Sequence, residues 1–186
     1  MTKTLALVLA ALVSCATAAA EVGAVQADKS RIAFVSRQMG VPVDGEFRKF
    51  TAQLSFDPAK PEAGRAQIDI DMASIDAGSA EANEEVVGKN WFYVKQFPKA
   101  GFVSTSVKPL GGGKFEVAGK LTIRDKTRDV QAPFTMTAQG ASVQFDGNFV
   151  IKRADFGIGQ GVWADFDTVA NEVQIKFKVV AAATKK

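Results

Sequence analysis

Apolar and polar residues alternate along most of the chain from residue 30 onward. The clearest run is 172–179, in which Val173, Ile175, Phe177 and Val179 alternate with Glu, Gln and Lys residues. The same period of two occurs at 31–34, 51–56, 67–72, 114–124, 130–136 and 143–151. This period is typical of antiparallel strands that have one buried face and one solvated face.

Turn-forming residues separate these runs. Asp57-Pro58, Gly111–Gly113 and Gly140 lie between predicted strands, and Asp125-Lys126 marks a tight turn after the strand that ends near Arg124. Strands joined by successive short hairpins predict a meander. We therefore expect an all-β fold, an antiparallel lipocalin-like β-barrel of about eight strands.

One segment departs from the alternating pattern. Residues 79–94 are rich in Ala and Glu, and Ser79 is a suitable N-cap, so the segment predicts one short helix. We expect it to end near Phe97-Pro98, because the residue before a proline disfavours helical geometry. The aromatic residues near its end either close one end of the barrel or pack the helix against its outside.

Composition indicates an apolar interior and excludes several kinds of site. The chain has 14 Phe but 1 Tyr and 2 Trp, and phenylalanine has no polar group. It has no histidine, and Cys15 is its single cysteine, so the usual zinc, haem-thiolate and iron–sulfur sites are not expected. A net charge of +3, evenly spread, does not predict nucleic-acid binding. No metal, no catalytic residue and no cofactor other than a lipid ligand are expected.

The N-terminus has the features of an export signal. Lys3 precedes an apolar run at 5–13 that is too short to span a bilayer, and small residues follow at 18–20. We therefore expect a cleaved signal peptide at 1–20, a domain at 21–182, a tail at 183–186 and a periplasmic location. The alternative is a lipoprotein anchored through Cys15, because Leu12-Val13-Ser14-Cys15 is similar to a lipobox. No later stretch predicts a membrane span.

The inner face of the barrel mixes phenylalanine with small residues, including Gly119, Ala132, Ala138 and Gly147. Small residues either leave room for a ligand or allow strand bending and close packing, and the pattern leaves both open. If a cavity exists, its apolar lining predicts a long alkyl or isoprenoid ligand. The alternation predicts these residues in the lumen: Phe34, Phe47, Phe102, Leu121, Ile123, Phe134, Phe145, Phe149 and Phe177. Four further aromatic residues are expected to guard an end of the barrel: Trp91, Phe92, Phe156 and Trp163.

Several segments, in this order and spacing, resemble the YceI-like family of periplasmic polyisoprenoid-binding proteins. They are Gly45-Glu46-Phe47 to Phe56-Asp57, Trp91-Phe92 to Phe97-Pro98, Gly119-Lys120-Leu121-Thr122-Ile123 through Thr127-Arg128-Asp129-Val130, and Ile151-Lys152-Arg153-Ala154-Asp155-Phe156-Gly157-Ile158-Gly159. The resemblance implies an extended lipocalin-like barrel with an apolar tunnel. It implies binding of a polyisoprenoid, such as a quinone tail or a polyprenol. The chain has no histidine where many members carry one, which weakens any transfer of head-group contacts.

Other interpretations of the sequence remain open. A fully packed barrel would act through its surface as a stress-response or protein-interaction module, and a homodimer is compatible with the sequence. A lipid-modifying enzyme would need buried carboxylates such as Asp44, Glu46 or Asp165. Asp69, Asp71 and Asp76 could suggest a calcium site, but Asp69 and Asp71 suit the wet face of a strand better. Five basic residues are interpreted as ordinary hairpin and surface charges, and the alternative is that they form a basic rim that meets lipid phosphate. They are Arg124, Lys126, Arg128, Lys152 and Arg153.

Overall fold

The computed structural model describes residues 21–184. These residues form eleven strands and one α-helix, α1. The strands are β1 (Glu21–Val25), β2 (Arg31–Gln38), β3 (Val41–Phe47), β4 (Phe50–Ser55), β5 (Arg65–Asp71), β6 (Ile75–Asp76), β7 (Lys99–Gly111), β8 (Lys114–Ile123), β9 (Lys126–Gln139), β10 (Ser142–Lys152) and β11 (Glu172–Thr184). The helix is α1 (Ala80–Val86).

All the strands belong to one antiparallel sheet. The order of neighbours is β4-β5-β7-β8-β9-β10-β11-β2-β3-β6, and β1 pairs with the end of β11. The long strands β7 to β10 follow one another as hairpins, as the turn residues predicted. The expected antiparallel lipocalin-like barrel is therefore confirmed, with eleven strands instead of about eight. The additional strands include β1 and β6, which are too short to show a clear alternation.

The sheet curls until its two ends meet at the corner between β3 and β4. Only Arg48 and Lys49 separate these strands, although β4 lies at one end of the strand order and β3 lies next to β6 at the other end. Backbone hydrogen bonds hold the corner: Arg48 N–H donates to the Ser74 carbonyl, and Asp71 N–H donates to the Lys49 carbonyl. The barrel is thus completed by turns at this corner and not by a continuous strand ladder.

Buried apolar side chains form two clusters, one toward each end of the barrel. One includes Ile32, Met72 and Ile151 and packs against the segment that follows α1. The other includes Phe56, Val143 and Val179. The space between the two clusters is where an interior ligand would lie.

Strand β7 departs from simple alternation. Its register with β8 shifts between Ser104 and Ser106, which marks a β-bulge. Ala100, Ser104 and Val107 are all buried, so the inward positions change from even to odd residue numbers. The Ser104 hydroxyl accepts a hydrogen bond from Ala66 N–H at 2.8 Å, which satisfies this buried polar group.

The predicted helix is shorter than the expected 79–94. Ser79 is the N-cap as expected, and its hydroxyl accepts from Ala82 N–H at 3.2 Å. The helix ends at Val86, and the chain continues through turns up to Phe97, with Tyr93 at a φ of 49°. Gly88 directly follows the C-cap residue Val87, and glycine near a helix end favours termination. Composition alone overestimated the length of this helix.

The described residues also bear on the two ends of the expected domain. The predicted signal peptide and Cys15 lie outside the described residues. At the other end, β11 extends to Thr184, two residues beyond the expected boundary at 182. Across residues 21–184, no helix combines the length and the apolar character that crossing a membrane requires.

Candidate ligand-binding cavity

The interior of the barrel is hollow. A cavity of about 610 Å³ lies between the curled strands and α1. Of the 41 residues that line it, 35 are apolar, and they come from both buried clusters. The volume falls within the range typical of small-molecule sites, about 300–1,000 Å³. The packed interior required by the surface-module alternative is therefore not what these strands form.

Glycines in the wall allow phenylalanine rings to lie against the sheet. Phe34 is paired with Gly45 across β2 and β3, and Phe177 is paired with Gly147 across β11 and β10. A Cβ atom added to Gly147 would clash with the Phe177 ring, and the same holds for Gly45 with Phe34. Aromatic rings commonly cover strand glycines in this way. These rings line the cavity while leaving its centre open.

The inward small residues predicted from the sequence therefore have different roles. Gly119 lies beneath the Phe102 ring, as Gly147 lies beneath Phe177. Ala132 lines the cavity directly. Ala138 is exposed near the end of β9.

Four phenylalanine rings pack together in the second buried cluster, away from α1, and three of them line the cavity. We call Phe56, Phe115, Phe134 and Phe145 the phenylalanine cluster. The Phe56 ring makes edge-to-face contacts with the other three at centroid distances of 5.1, 6.0 and 5.7 Å. This geometry is favourable for aromatic pairs. The rings themselves have no polar group, and Arg65 is the polar residue that lines the cavity near them.

The opposite end is the mouth of the cavity, which we define by Gln38, Val43, Glu81, Glu85 and Trp163. Gln38, Glu81 and Glu85 are exposed to solvent although they line the cavity. One oxygen of Glu85, Oε1, accepts from the indole Nε1 of Trp163 at 2.7 Å and of Trp91 at 3.2 Å. The two indole rings lie 5.6 Å apart. Glu85 thereby ties α1 to the 161–163 turn across the mouth.

A buried arginine organises the loop that forms one side of the mouth. Arg153 is 1% exposed, and its guanidinium donates to the backbone carbonyls of six residues between 158 and 170. Burial lowers the pKa of this guanidinium, and the nearby Asp165 carboxylate acts in the opposite direction. A Cβ atom at Gly159 would clash with the guanidinium, so this position requires glycine. Arginine is the residue best suited to donate to several carbonyls at once.

The structure brings twelve of the thirteen predicted site residues to one cavity. They are Phe34, Phe47, Phe102, Leu121, Ile123, Phe134, Phe145, Phe149, Phe177, Trp91, Phe92 and Trp163. Phe156 is different: it is 1% exposed, packs in the cluster below α1 and does not line the cavity. It follows Arg153 in a 3₁₀ turn that directs its ring into the core, so it cannot guard the mouth.

Two of the five residues considered for a basic rim, Arg124 and Arg153, do not contribute free charge to it. Arg153 is buried and donates to backbone carbonyls. Arg124 is half-buried and donates to the carbonyls of Trp91 and Gly157. Lys152 and Arg128 are exposed. Arg124 and Arg153 therefore fasten loops near the mouth and do not present free charge there.

Asp44, Glu46 and Asp165, the carboxylates considered for an enzyme, do not line the cavity. Asp44 and Asp165 are exposed, and Asp165 accepts hydrogen bonds from Asp167 N–H and the Thr168 hydroxyl. Glu46 pairs with Arg31 at 2.7 Å on the outer face. These three groups are not placed to act on a molecule inside the barrel.

The aspartates considered for calcium also have other partners. Asp71 caps a 3₁₀ turn by accepting from Ala73 N–H at 3.0 Å, and Asp69 accepts from Gln67 at 3.2 Å. Asp76 pairs with Arg48, and its pKa is held below the usual range by the Gly78 N–H hydrogen bond and by Arg48. Within residues 21–184, no three His, Cys, Asp or Glu side chains come together as a metal site would require.

Sequence reasoning missed the polar residues at the mouth. Ser36, Gln38, Glu81 and Glu85 line the cavity, but Ser36 and Gln38 lie beyond the alternating run at 31–34, and Glu81 and Glu85 served only to predict a helix. Glu81 and Glu85 are four residues apart on α1, so they share one face of the helix. That spacing was the available signal. The role of Arg153 had no local signal, since its partners are backbone groups of a distant loop.

A hollow antiparallel barrel with a mainly apolar lining defines a protein of lipocalin-like fold. The chain belongs to the YceI-like family, whose domain model matches residues 24–181. The resemblance inferred from the sequence is thereby confirmed.

Known relatives and structures agree with this family. A UPF0312 protein of Pseudomonas putida is 31% identical over 140 residues, which is 72% of each chain. The crystal structure of Burkholderia cenocepacia BcnA has a TM-score of 0.83 at 49% identity and covers 85% of this chain and 99% of that one. A polyisoprenoid binding domain from Saccharophagus degradans has a TM-score of 0.68 at 15% identity, covers 89% of this chain and 99% of its own, and shows the fold alone.

Proposed function

We propose that this protein binds a long polyisoprenoid chain, of the quinone-tail or polyprenol type, inside the barrel. The observation that carries the proposal is the cavity of about 610 Å³ with 35 apolar residues among the 41 that line it. An isoprenoid chain can contact such a lining along its whole length and needs no specific polar contact to bind. Selection by the cavity is then by length and thickness.

The volume sets the length of chain that fits. At roughly 30 Å³ for each water-sized group, the cavity has room for about 20 such groups, or about four isoprene units. Burying about 20 carbons removes roughly 16 kcal/mol of unfavourable hydration at about 0.8 kcal/mol each. That gain offsets the cost of association, about 4–15 kcal/mol. A four-unit isoprenoid is therefore the natural probe.

Family membership supports the same proposal. The chain shares the YceI-like domain, and a solved structure with this fold is described as a polyisoprenoid binding domain. We infer that the protein acts by binding and not by catalysis. Asp44, Glu46 and Asp165 do not line the cavity, and the two carboxylates at the mouth are exposed on α1.

Binding is tested by titrating the purified protein with geranylgeraniol, which has four isoprene units. Both tryptophans of the chain, Trp91 and Trp163, lie at the mouth, so their fluorescence reports on the cavity. We expect saturable quenching, and native mass spectrometry gives the stoichiometry. Geraniol, with two units, should bind more weakly because it buries about half as many carbons.

A matched pair of variants locates the ligand. Val173→Phe adds a ring that occupies part of the cavity, whereas Glu172→Phe adds the same ring to an exposed position on the same strand. Excluding about two CH₂ groups of ligand should weaken binding roughly tenfold in Val173→Phe. Glu172→Phe should bind like the wild type. Equal affinities in both variants would place the ligand elsewhere and reject the proposal.

We also propose that the protein works in the periplasm. The support is the charge and hydropathy pattern of residues 1–20 and the small residues at 18–20. N-terminal sequencing of the exported protein should give Glu21 as its first residue. A lipid-modified Cys15 would instead establish the anchored alternative, and recovery of the intact chain from the cytoplasm would reject export.

A further inference from the structure

Four of the six polar side chains that line the cavity lie at the mouth, and the charged ones among these four are carboxylates. Ser36, Gln38, Glu81 and Glu85 line this end. Hydrogen bonds from its own backbone N–H and from the Ser79 hydroxyl hold the pKa of Glu81 below the usual range, so its carboxylate is charged at neutral pH. The remaining charged lining residues are Arg153 and Arg65.

Neither arginine offers a free guanidinium at the mouth. Each of the three guanidinium nitrogens of Arg153 already donates to backbone carbonyls. Arg65 begins β5 on the far side of the cavity, where Leu54 and Phe56 are its neighbours in the lining, and it donates to the Gly64 carbonyl at 2.7 Å. An anionic head group at the mouth would therefore meet two carboxylates and no free cationic donor among the lining residues of the described chain.

Glu85 is placed to accept a further hydrogen bond. Its Oε1 holds both indole N–H groups, while its Oε2 makes no hydrogen bond within residues 21–184. An ionised carboxylate accepts hydrogen bonds and cannot donate them. A hydroxyl or an ammonium group supplies the donor that such an oxygen lacks, whereas a phosphate supplies none and repels it.

We propose that Glu85, assisted by Glu81, is a specificity-determining residue that favours isoprenoids whose head group is a hydroxyl or an ammonium and disfavours those whose head group is a phosphate. The inference rests on the proposed function, because it assumes that the chain enters the apolar cavity. The tail then extends toward the phenylalanine cluster, and the head group remains at the mouth, between α1 and the 161–163 turn.

The test compares three ligands with the same four-unit chain: geranylgeraniol, geranylgeranylamine and geranylgeranyl monophosphate. Quenching of Trp91 and Trp163 gives the three dissociation constants. The wild type should bind the alcohol and the amine at least about tenfold more tightly than the phosphate, as expected for like charges that lie close together in partly exposed surroundings.

Glu85→Gln isolates the charge. The amide oxygen of glutamine still accepts from the indole groups, and the amide NH2 takes the place of the free Oε2. The variant therefore removes the charge and exchanges the free acceptor for a donor, from which a hydroxyl head group can accept. We expect its affinity for the phosphate to rise about fivefold, its affinity for the amine to fall by a similar factor, and its affinity for the alcohol to change little. Glu84→Gln is the matched control, since Glu84 is an exposed neighbour on α1 that does not line the cavity. Glu81→Gln removes no bond to tryptophan and serves as a second variant if Glu85→Gln fails to fold.

The outcomes separate this inference from the proposed function. If no ligand binds, the proposed function is wrong and the selectivity falls with it. If the ligands bind but the phosphate binds as tightly as the alcohol, the proposed selectivity is wrong while lipid binding stands. The same conclusion follows if Glu85→Gln and Glu84→Gln change the affinities for the three ligands by equal factors. A loss of phosphate binding in Arg65→Gln alone would place the head group at the far end and would also overturn the inference.

Discussion

Replacing Arg153 by alanine removes the group that holds the loop at the mouth. The side chain is 1% exposed, and three of the carbonyls that accept its bonds, those of Ile158, Gly159 and Val169, do so in fully buried hydrogen bonds. The carbonyls of Ala170, Trp163 and Asp165 accept in partly buried bonds. After the substitution, water can reach the three partly buried carbonyls more easily than the three fully buried ones.

The expected destabilisation follows from these three buried carbonyls. Each buried acceptor left without a donor costs about 1–3 kcal/mol, so the lower bound for three is about 3 kcal/mol. Relaxation of the 158–170 loop keeps the cost near that lower bound. For a chain of this size, about 1 kcal/mol lowers Tm by roughly 2–4 °C. Arg153→Ala should therefore melt about 6–12 °C below the wild type.

Thermal unfolding followed by circular dichroism measures this difference. Arg128→Ala is the control, because Arg128 is exposed and its side chain bonds only its neighbour Thr127 in the described structure, so its Tm should hardly change. Arg153→Lys should fall between the two, since an ammonium has three donors and lacks the planar geometry of a guanidinium. If Arg153→Ala melts together with Arg128→Ala, the hydrogen bonds of the buried arginine do not stabilise the loop and our account of the mouth is wrong.

Three further predictions concern the cavity wall and the acid stability. Phe56→Ala should lower the free energy of unfolding, measured in urea, by about 3–5 kcal/mol, and it should let longer isoprenoids bind because it removes the centre of the phenylalanine cluster. An unchanged preference for ligand length would contradict this prediction. Gly147→Ala should push the Phe177 ring inward and weaken geranylgeraniol binding, whereas Gly101→Ala, where a Cβ has ordinary contacts, should not; equal binding in both would refute the role of the glycine. The lowered pKa of Asp76, caused first by the Gly78 N–H and then by Arg48, stabilises the fold above about pH 4, and this contribution is lost as the pH falls further. The stability difference between wild type and Asp76→Asn should therefore shrink as the pH falls below about 4, and a constant difference would count against it.

Alternation predicted the side-chain directions of the long strands because the period of two is a property of the extended backbone itself. Phe145 and Phe149 on β10 line the cavity as that period requires. Alternation failed to predict the side-chain directions along β7, where the bulge between Ser104 and Ser106 moves the inward positions by one residue. A bulge is specified by the partner strand, and a single strand carries little signal for it.

The site was predictable where it is apolar and unpredictable where it is polar. The phenylalanine residues of the lining occupy alternating positions, so each strand reveals them by itself. Glu85 acquires its role only when the 161–163 turn places Trp163 beside it, 78 residues further along the chain. Arg153 likewise depends on a loop that folds back over its guanidinium.

The sequence by itself determined the antiparallel strands, the apolar face of each strand and the family, because these depend on local periodicity and on short segments in order. Only the tertiary structure decided that the barrel is hollow, since a phenylalanine ring fills the lumen or lies on the wall according to the residue paired with it across the strands. Gly147 beneath Phe177 is one such pair. The location of the mouth was decided in the same way, by groups that meet only after the sheet has curled.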